Sequence, residues 1–339
     1  MDITTNRNEK FDFIKGLLIL GVVWGHMITA LKCDSDTSFW IHSFMRIYDM
    51  PMFAFVTGYF LYSSCEKREW HKNILNKIRN IFWPVVLWCL IFNIIERTPI
   101  LYYKRFWYLW SILFVTIVVI LINKIFKDNL ILNISAVVIA VIFFHTVTQE
   151  FFFIGFLLPP CLLGYYIAKL NINGMNSKIS FITIILFIVL SFFWNGKCSV
   201  WEIGCNIFVQ DNPYTAALQM LYRCFMGMLG CLAMYSVYSI LYRIFLKSKI
   251  LKKLVKGVVL WGQNTLEIYI LQSFFVEYCV ANVVRKMFLI LNKNIFMYNP
   301  YVMAYVIAFV FSVIAIIVMV FVVKLLKKVP VVGNHFFAL

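Results

Sequence analysis

Long, uninterrupted apolar stretches dominate this sequence and limit the folds that it can adopt. An α-helix needs about 20 apolar residues to cross the roughly 30 Å core of a bilayer. The sequence predicts ten such helices, with approximate bounds 11–31, 42–62, 81–96, 107–123, 130–148, 151–169, 179–195, 217–243, 258–282 and 301–323. The stretches are too long and continuous for β-barrel strands, which alternate. We therefore predict an all-α polytopic membrane protein in which residues 1–339 form one transmembrane domain, with no separate soluble domain.

The positions of the basic residues predict how these helices are oriented. The net charge of +16 would suit a nucleic-acid-binding protein, but Lys and Arg lie in short runs between the apolar stretches, so nucleic acid is excluded as a partner. With the N-terminus in the cytoplasm, 20 of the 31 basic residues fall in cytoplasmic connections, 8 outside and 3 within spans. The excess of positive charge inside predicts that both termini are cytoplasmic.

Charged residues inside apolar spans are costly, so each one is a candidate for a functional site. This set is Asp12, Lys15, His26, Arg46, Asp49, His145, Arg223, Glu267 and Glu277. Polar contacts between neighbouring helices are the alternative explanation for all of them. His145 and Glu277 lie near predicted outer ends, and we interpret both as interfacial residues.

The first span carries a polar side. Lys15 and His26 are eleven positions apart, close to three helical turns, which places them on one side about 16 Å from each other. Asp12 joins that side, which predicts the wall of a polar passage. The alternative is that Lys15 extends to the interface and that a backbone carbonyl satisfies His26.

Four polar residues from four spans are predicted at one level near the outer side: His26, Asp49, Arg223 and Gln272. In such a layer Asp49 would orient His26 as a general base, and Arg223 would hold an oxyanion or a sugar hydroxyl. Arg46 is spaced to pair with Asp49 on one helix, which is the alternative for both. Glu267 lies deeper and is predicted to line the passage. The predicted substrate-binding residues are Arg46, Arg223, Glu267 and Gln272.

A basic cluster precedes the third span in a predicted cytoplasmic connection. It consists of Lys67, Arg68, Lys72, Lys77 and Arg79, and Pro84 interrupts the span that follows. The cluster suits a phosphate-rich ligand, although topology alone explains it too. No Cys and His spacing resembles a zinc site, so no metal is predicted. Whether Cys198 and Cys205 pair in an outer connection stays open.

Six segments, in this order, resemble acyltransferase family 3, the integral membrane acyltransferases that include bacterial sugar O-acetyltransferases. They are FDFIKGLLILGVVWGHM (11–27), MPMFAFVTGYFLY (50–62), KIRNIFWPVVLW (77–88), FWYLWSILF (106–114), FLLPPCLLGYYIAK (156–169) and GQNTLEIYILQSFF (262–275). In the first segment the family carries a basic residue, ten intervening residues and a His. The second and third segments resemble the family's Met-Pro stretch and its basic run before a Pro, and the last three resemble segments that occur later in the family.

The resemblance implies an enzyme of the bacterial cytoplasmic membrane that uses cytoplasmic acetyl-CoA, or another acyl-CoA, as a donor substrate. Its acceptor would be a hydroxyl of an extracytoplasmic or lipid-linked glycan. By this likeness His26 is the catalytic His, and Lys15 stands at the family's basic position along the path of the donor. Lys77 and Arg79, with Arg68, would bind the CoA phosphates.

The sequence departs from the family pattern at three positions. Lys15 replaces the usual Arg, Gln272 stands where relatives often carry a second His, and Asp49 precedes Met-Pro where many relatives have His. The acceptor sugar therefore stays open, with the connection 196–216 as the candidate contact. A polyprenyl-linked sugar flippase or other transporter, and a non-catalytic scaffold, are the alternative functions. Membrane lipids are expected partners, and assembly with copies of itself is left open.

Overall fold

The computed structural model describes residues 8–31, 39–96, 106–127, 129–146, 153–172, 176–194, 212–284 and 300–328. Within these ranges the chain is helical and contains no strand. It divides into two compact units, which we call the terminal unit (residues 1–42 and 238–337) and the central unit (residues 43–237 and 338–339). The prediction of one transmembrane domain over 1–339 stays a prediction.

The terminal unit contains helix α1 and the C-terminal helices. Their bounds are α1 Glu9–Ala30, α10 Lys249–Gln263, α11 Thr265–Gln272, a π-helical segment Ser273–Val284 and α12 Pro300–Leu326. Helices α2 and α9, defined below, each cross from one unit into the other. Asn8 begins α1 as its N-cap, because its side chain accepts a hydrogen bond from the backbone N–H of Phe11 at 3.4 Å.

The central unit contains the helices between them. Their bounds are α2 Phe39–Lys67, α3 Trp70–Lys77, a π-helical turn Ile78–Phe82, α4 Trp83–Glu96, α5 Trp107–Phe126, α6 Leu130–Thr146, α7 Ile154–Lys169, α8 Ser177–Ser191 and α9 Pro213–Phe245. Helices α3 and α4 join through the π-helical turn. That turn lies directly before Pro84, which lacks the N–H that a continuous α-helix would bond to Asn80.

Five helical segments within the described residues are long and apolar enough to cross a membrane: Glu9–Ala30, Trp70–Ile95, Trp107–Phe126, Pro213–Phe245 and Tyr305–Leu326. Helices α6, α7 and α8 are shorter and also apolar. These helices confirm the prediction of an all-α membrane protein. The count of ten spans and the cytoplasmic position of both termini stay predictions.

One predicted span differs from the observed helices. The range 258–282 is not one continuous helix, because α10 begins at Lys249 and ends at Gln263, and α11 starts again at Thr265. The break has a local cause. The side chain of Asn264 donates from Nδ2 to the carbonyl oxygen of Leu260 at 2.8 Å, which satisfies one of the last carbonyls of α10.

Glycines bring α1 and α10 to backbone contact in the terminal unit. A Cβ atom on Gly16 would overlap the carbonyl oxygen of Val258, and one on Gly262 would overlap the carbonyl oxygen of Asp12. Small residues permit this approach between helices in a membrane, where packing rather than the hydrophobic effect holds helices together. Phe13 packs beside this contact against Val255 and Val259 of α10, among others.

In the central unit, glycines also permit close backbone contact between α2 and α7. A Cβ atom on Gly58 would overlap the carbonyl oxygen of Cys161, and one on Gly164 would overlap that of Phe55. A buried polar contact joins the neighbouring helices: Asn133 of α6 donates to Asn123 of α5 at 2.6 Å and to the Tyr166 hydroxyl of α7 at 2.7 Å. Packed backbones and these buried side-chain hydrogen bonds therefore hold the helices together.

Candidate functional site

Helix α1 carries the polar side that its sequence predicts. The Lys15 ammonium lies 2.7 Å from the Asp12 carboxylate, one turn earlier on the same helix, and the Asp12 side chain is almost fully buried. Because Asp12 carries the opposite charge, it lowers the free-energy cost of keeping the Lys15 ammonium inside the terminal unit. Lys15 is thus held by Asp12, in place of extending alone to the interface.

His26 lies near the C-terminal end of α1 and pairs with an acid from the π-helical segment. Its Nδ1 is 3.0 Å from Oε1 of Glu277, and the two side chains are 40% and 35% exposed. His26 therefore contacts a carboxylate and not a backbone carbonyl, which was the alternative interpretation. At this exposure a reactant can reach the ring.

Glu277 is the residue that sequence reasoning placed outside the site. Its position near a predicted outer end led to its interpretation as interfacial, whereas the structure brings it to His26. Glu277 and Gln272 are five residues apart. In an α-helix, residues with this separation point in directions about 140° apart, but a π-helix bonds residue i to i+5 and brings them to neighbouring positions. No periodicity in the sequence signals the π-helix.

Gln272 ends α11 directly before the π-helical segment. Its side chain is 1% exposed, and its Oε1 accepts no hydrogen bond from the described residues. A buried amide oxygen without a donor is costly, so such a group in a native protein calls for an explanation. A ligand hydroxyl is one kind of donor that would satisfy it, and substrate binding by Gln272 stays a prediction.

Glu267 forms another ion pair of the terminal unit. Its buried carboxylate accepts a hydrogen bond from the Lys327 ammonium at 2.6 Å, and the same ammonium lies 3.4 Å from the side-chain oxygen of Asn264. This contact ties α11 to the C-terminal end of α12. Glu267 was predicted to line the passage; its substrate-binding role stays a prediction, and its structural partner is Lys327.

Arg46 and Asp49 both lie on α2 in the central unit, and both are half-buried. Asp49 precedes Pro51, the proline inside this helix. Its Oδ1 accepts a hydrogen bond from the backbone N–H of Met50 at 2.6 Å. The acid within hydrogen-bond distance of His26 is Glu277, so Asp49 as the group that orients His26, and Arg46 as a substrate-binding group, stay predictions.

Arg223 is buried in the central unit between aromatic rings. Its guanidinium carbon lies 4.0 Å from the ring centroid of Phe156 and 5.7 Å from that of Trp194, and 3% of the residue is exposed. Aromatic faces stabilise a guanidinium that has left water. This arrangement retains a full positive charge in an apolar region, where it can attract a developing oxyanion.

The predicted cytoplasmic cluster lies around the turn between α2 and α3. Asn73 is buried and fixes this turn: its Nδ2 donates to the Ser64 carbonyl oxygen at 3.0 Å and to that of Arg68 at 3.4 Å. Arg68 is exposed, Lys77 is half-buried near it, and Arg79 is exposed on the π-helical turn.

A cavity of about 390 Å³ opens beside this turn, lined among others by Arg68, Trp70, His71, Asn73, Lys124 and Tyr165. Lys77 and Arg79, the other two residues of the predicted phosphate site, are not among the residues that line it. The cavity therefore joins Arg68 to Lys124 of α5, a basic residue that sequence reasoning counted only toward orientation. Glu66 and Glu69 line it as well, so the cavity carries charges of both signs.

The predicted site residues are thus distributed over both units. Lys15, His26, Glu267 and Gln272 belong to the terminal unit, and Arg46, Asp49, Arg68, Lys77, Arg79 and Arg223 belong to the central unit. The convergence of His26 and Gln272 with Asp49 and Arg223 stays a prediction. Most of the connection 196–216, with Cys198 and Cys205, lies outside the described residues.

Comparison with known proteins gives one family. The family model described as an acyltransferase domain matches residues 8–321. The chain is 22% identical over 294 residues to nodulation protein NolL of Mesorhizobium japonicum, a match that covers 80% of this chain and 77% of that protein. It is 21% identical over 240 residues to nodulation protein NolL of Sinorhizobium fredii, covering 64% of this chain and 61% of that protein. No solved structure matches the chain.

Proposed function

This chain belongs to acyltransferase family 3, and on that premise we propose that it transfers an acetyl group from cytoplasmic acetyl-CoA to a hydroxyl of an extracytoplasmic or lipid-linked glycan. The chain is a membrane acyltransferase; the donor, the acceptor and the bacterial cytoplasmic membrane as its location are the proposal. Its relatives with curated names come from two bacteria, which supports that location.

The pair of His26 and Glu277 carries the proposal. With Glu277 ionised, the 3.0 Å contact favours the imidazole tautomer whose Nδ1 carries the proton, which leaves the Nε2 lone pair available. The carboxylate then also stabilises the imidazolium that forms when Nε2 accepts a proton. An oriented imidazole near the end of a membrane helix is the arrangement that a general base for a sugar hydroxyl needs.

The proposed step is a direct transfer. His26 Nε2 takes the proton of the acceptor hydroxyl while the hydroxyl oxygen attacks the thioester carbonyl carbon, which forms the new C–O bond. The C–S bond breaks, and the CoA thiolate leaves with the proton returned by the imidazolium. Gln272 Oε1, which lies in the same unit as His26, would accept a hydrogen bond from the acceptor.

The donor is proposed to dock through basic residues of the predicted cytoplasmic side. Arg68, Lys77 and Arg79 lie within a short stretch around the α2–α3 turn and the π-helical turn. Their charges suit the phosphates of CoA, because hydrogen bonds from Lys or Arg to phosphate are charge-assisted. Lys15, held by Asp12 about three turns before His26, would line the path of the pantetheine arm.

Labelled acetyl-CoA tests the proposal as a whole. Inverted membrane vesicles that contain the protein are expected to incorporate acetyl label into glycan, and glycans of cells with and without the protein are expected to differ by acetyl groups in mass spectra. Vesicles without the protein are the control. Substrate movement across vesicles that needs no acetyl-CoA, together with unchanged glycan acetylation, would reject the enzyme in favour of a transporter.

Neutralising Lys77 and Arg79 together is expected to raise the KM for acetyl-CoA. Each charge-assisted contact contributes about 1.5 to 3 kcal/mol, so the double variant Lys77→Gln, Arg79→Gln should raise KM at least about tenfold. Lys178→Gln with Lys324→Gln removes two exposed charges outside the basic cluster and serves as the control. Equal KM values for the two double variants would contradict the assignment of the donor site.

Replacing Glu277 with glutamine is expected to lower kcat while the KM for acetyl-CoA stays unchanged, because the amide cannot stabilise the imidazolium. The loss should be about tenfold to 100-fold, below the roughly 10²- to 10⁴-fold that a general base supplies. Glu277→Asp should retain part of the activity, and Tyr278→Phe tests for general disturbance of the π-helical segment. The parallel variant Asp49→Asn decides between the two acids: if it alone lowers kcat, Glu277 does not position His26.

A further inference from the structure

Helix α10 carries an exposed cationic face that the proposed reaction does not use. From residue 212 to residue 266 the sequence contains no Asp or Glu. The helix itself contributes four exposed lysines, Lys249, Lys252, Lys253 and Lys256. Among the described residues, no acidic side chain forms an ion pair with them. The positive charge of this face is therefore not compensated by any acidic residue that the structure describes.

The sides of α10 separate three kinds of residue. One side packs into the terminal unit through Val255, Val259 and Gly262. At about 100° per residue, the lysines cover an arc of about 100° next to that packed side. The third side is apolar yet exposed: Ile250 is 77% exposed and Leu254 is 57% exposed. Trp261 falls in the same arc.

This arrangement is the one that suits a helix in the plane of a membrane surface. An interfacial helix places apolar residues toward the acyl chains and Lys or Arg toward the headgroups, and Trp is enriched at that depth. A soluble partner that bound only the lysines would not explain why Ile250 and Leu254 are exposed. Because these apolar residues lie beside the lysines, a partner for this face would need to offer both an apolar phase and negative charge.

We propose that α10 is an interfacial helix that binds anionic phospholipids of the leaflet on its side of the membrane. The lysine ammonium groups would contact lipid phosphates, while Ile250, Leu254 and Trp261 would lie among the upper parts of the acyl chains. Since Gly262 and Val258 hold α10 against α1 at backbone contact, the bound lipids would lie close to the Lys15–Asp12 pair of α1.

Native mass spectrometry of the purified full-length protein tests this inference. In mild detergent, dioleoyl phosphatidylglycerol is expected to remain bound in preference to dioleoyl phosphatidylcholine at equal concentration. Each lysine near an anionic surface contributes about fivefold in affinity. The triple variant Lys252→Gln, Lys253→Gln, Lys256→Gln should therefore lose at least about tenfold in its affinity for phosphatidylglycerol.

The matched control removes the same charge elsewhere, with Lys178→Gln, Lys324→Gln and Lys328→Gln, and it should keep the preference. Equal loss in both variants, or no loss in the first, would overturn the proposal. Displacement of phosphatidylglycerol by inorganic phosphate would also overturn it, because the face would then be a simple anion site. If the triple variant does not fold, the single variant Lys253→Gln should weaken binding about fivefold.

Discussion

Replacing His26 with alanine is expected to abolish acetyl transfer from labelled acetyl-CoA while the protein remains folded in the membrane. The imidazole is the proposed acceptor of the hydroxyl proton, and a general base contributes about 10²- to 10⁴-fold to rate. The side chain is 40% exposed, so its removal leaves no closed cavity. Initial rates in membranes, normalised to the amount of protein, measure the loss.

Thr29→Ala is the matched control for this variant. Thr29 is exposed one turn further along α1, and its hydroxyl donates to the carbonyl oxygen of Gly25 at 3.3 Å. That change should leave the rate nearly unchanged. Full activity of His26→Ala would reject His26 as the catalytic base, and with it the proposed transfer step. An equal loss in Thr29→Ala would point instead to damage of the end of α1.

The substitution Gly262→Ala is expected to destabilise the terminal unit strongly. Its new methyl group would overlap the carbonyl oxygen of Asp12, a backbone atom that cannot rotate away. Helices α1 and α10 would have to separate, and overpacking of this kind costs about 1 to 3 kcal/mol or more. The melting temperature of the purified protein in detergent measures the effect.

Gly257→Ala is the matched control in the same helix. A Cβ atom at Gly257 meets nothing within 4 Å, and alanine is favoured over glycine in a helix interior by about 1 kcal/mol. Gly257→Ala should therefore melt at the same temperature as the natural protein or higher, while Gly262→Ala melts lower. Similar melting temperatures for the two variants would mean that the close contact of α1 and α10 does not hold the unit together.

Predictions from the sequence agree with the structure where hydrophobic periodicity and amino-acid composition determine the fold. The apolar stretches predicted α1, α5 and α9 because a span must be apolar and about 20 residues long. The eleven-residue spacing on α1 placed Lys15 and His26 on one side, and Asp12 joined them as expected. The six family-like segments identified the acyltransferase, which the family model confirms.

The same reasoning failed where the backbone leaves the regular α-helix. It merged parts of α10 and α11 into one span, because hydropathy does not register the break that Asn264 makes. It also set Glu277 aside as interfacial, because that residue lies near a predicted outer end, whereas the structure brings it to His26. Nothing in the sequence indicated that Lys327, at the end of α12, would be the partner of Glu267, which lies 60 positions earlier in the chain.

The apolar composition by itself thus determined the solvent of this protein and its helical class, because a bilayer imposes both on each span separately. Its family and the candidate base His26 came from the resemblance of six segments to acyltransferase family 3. Only the tertiary structure decided which acid contacts His26. The choice of Glu277 depends on a π-helical segment that packs against α1, and such a segment is set by contacts between helices that are distant in sequence.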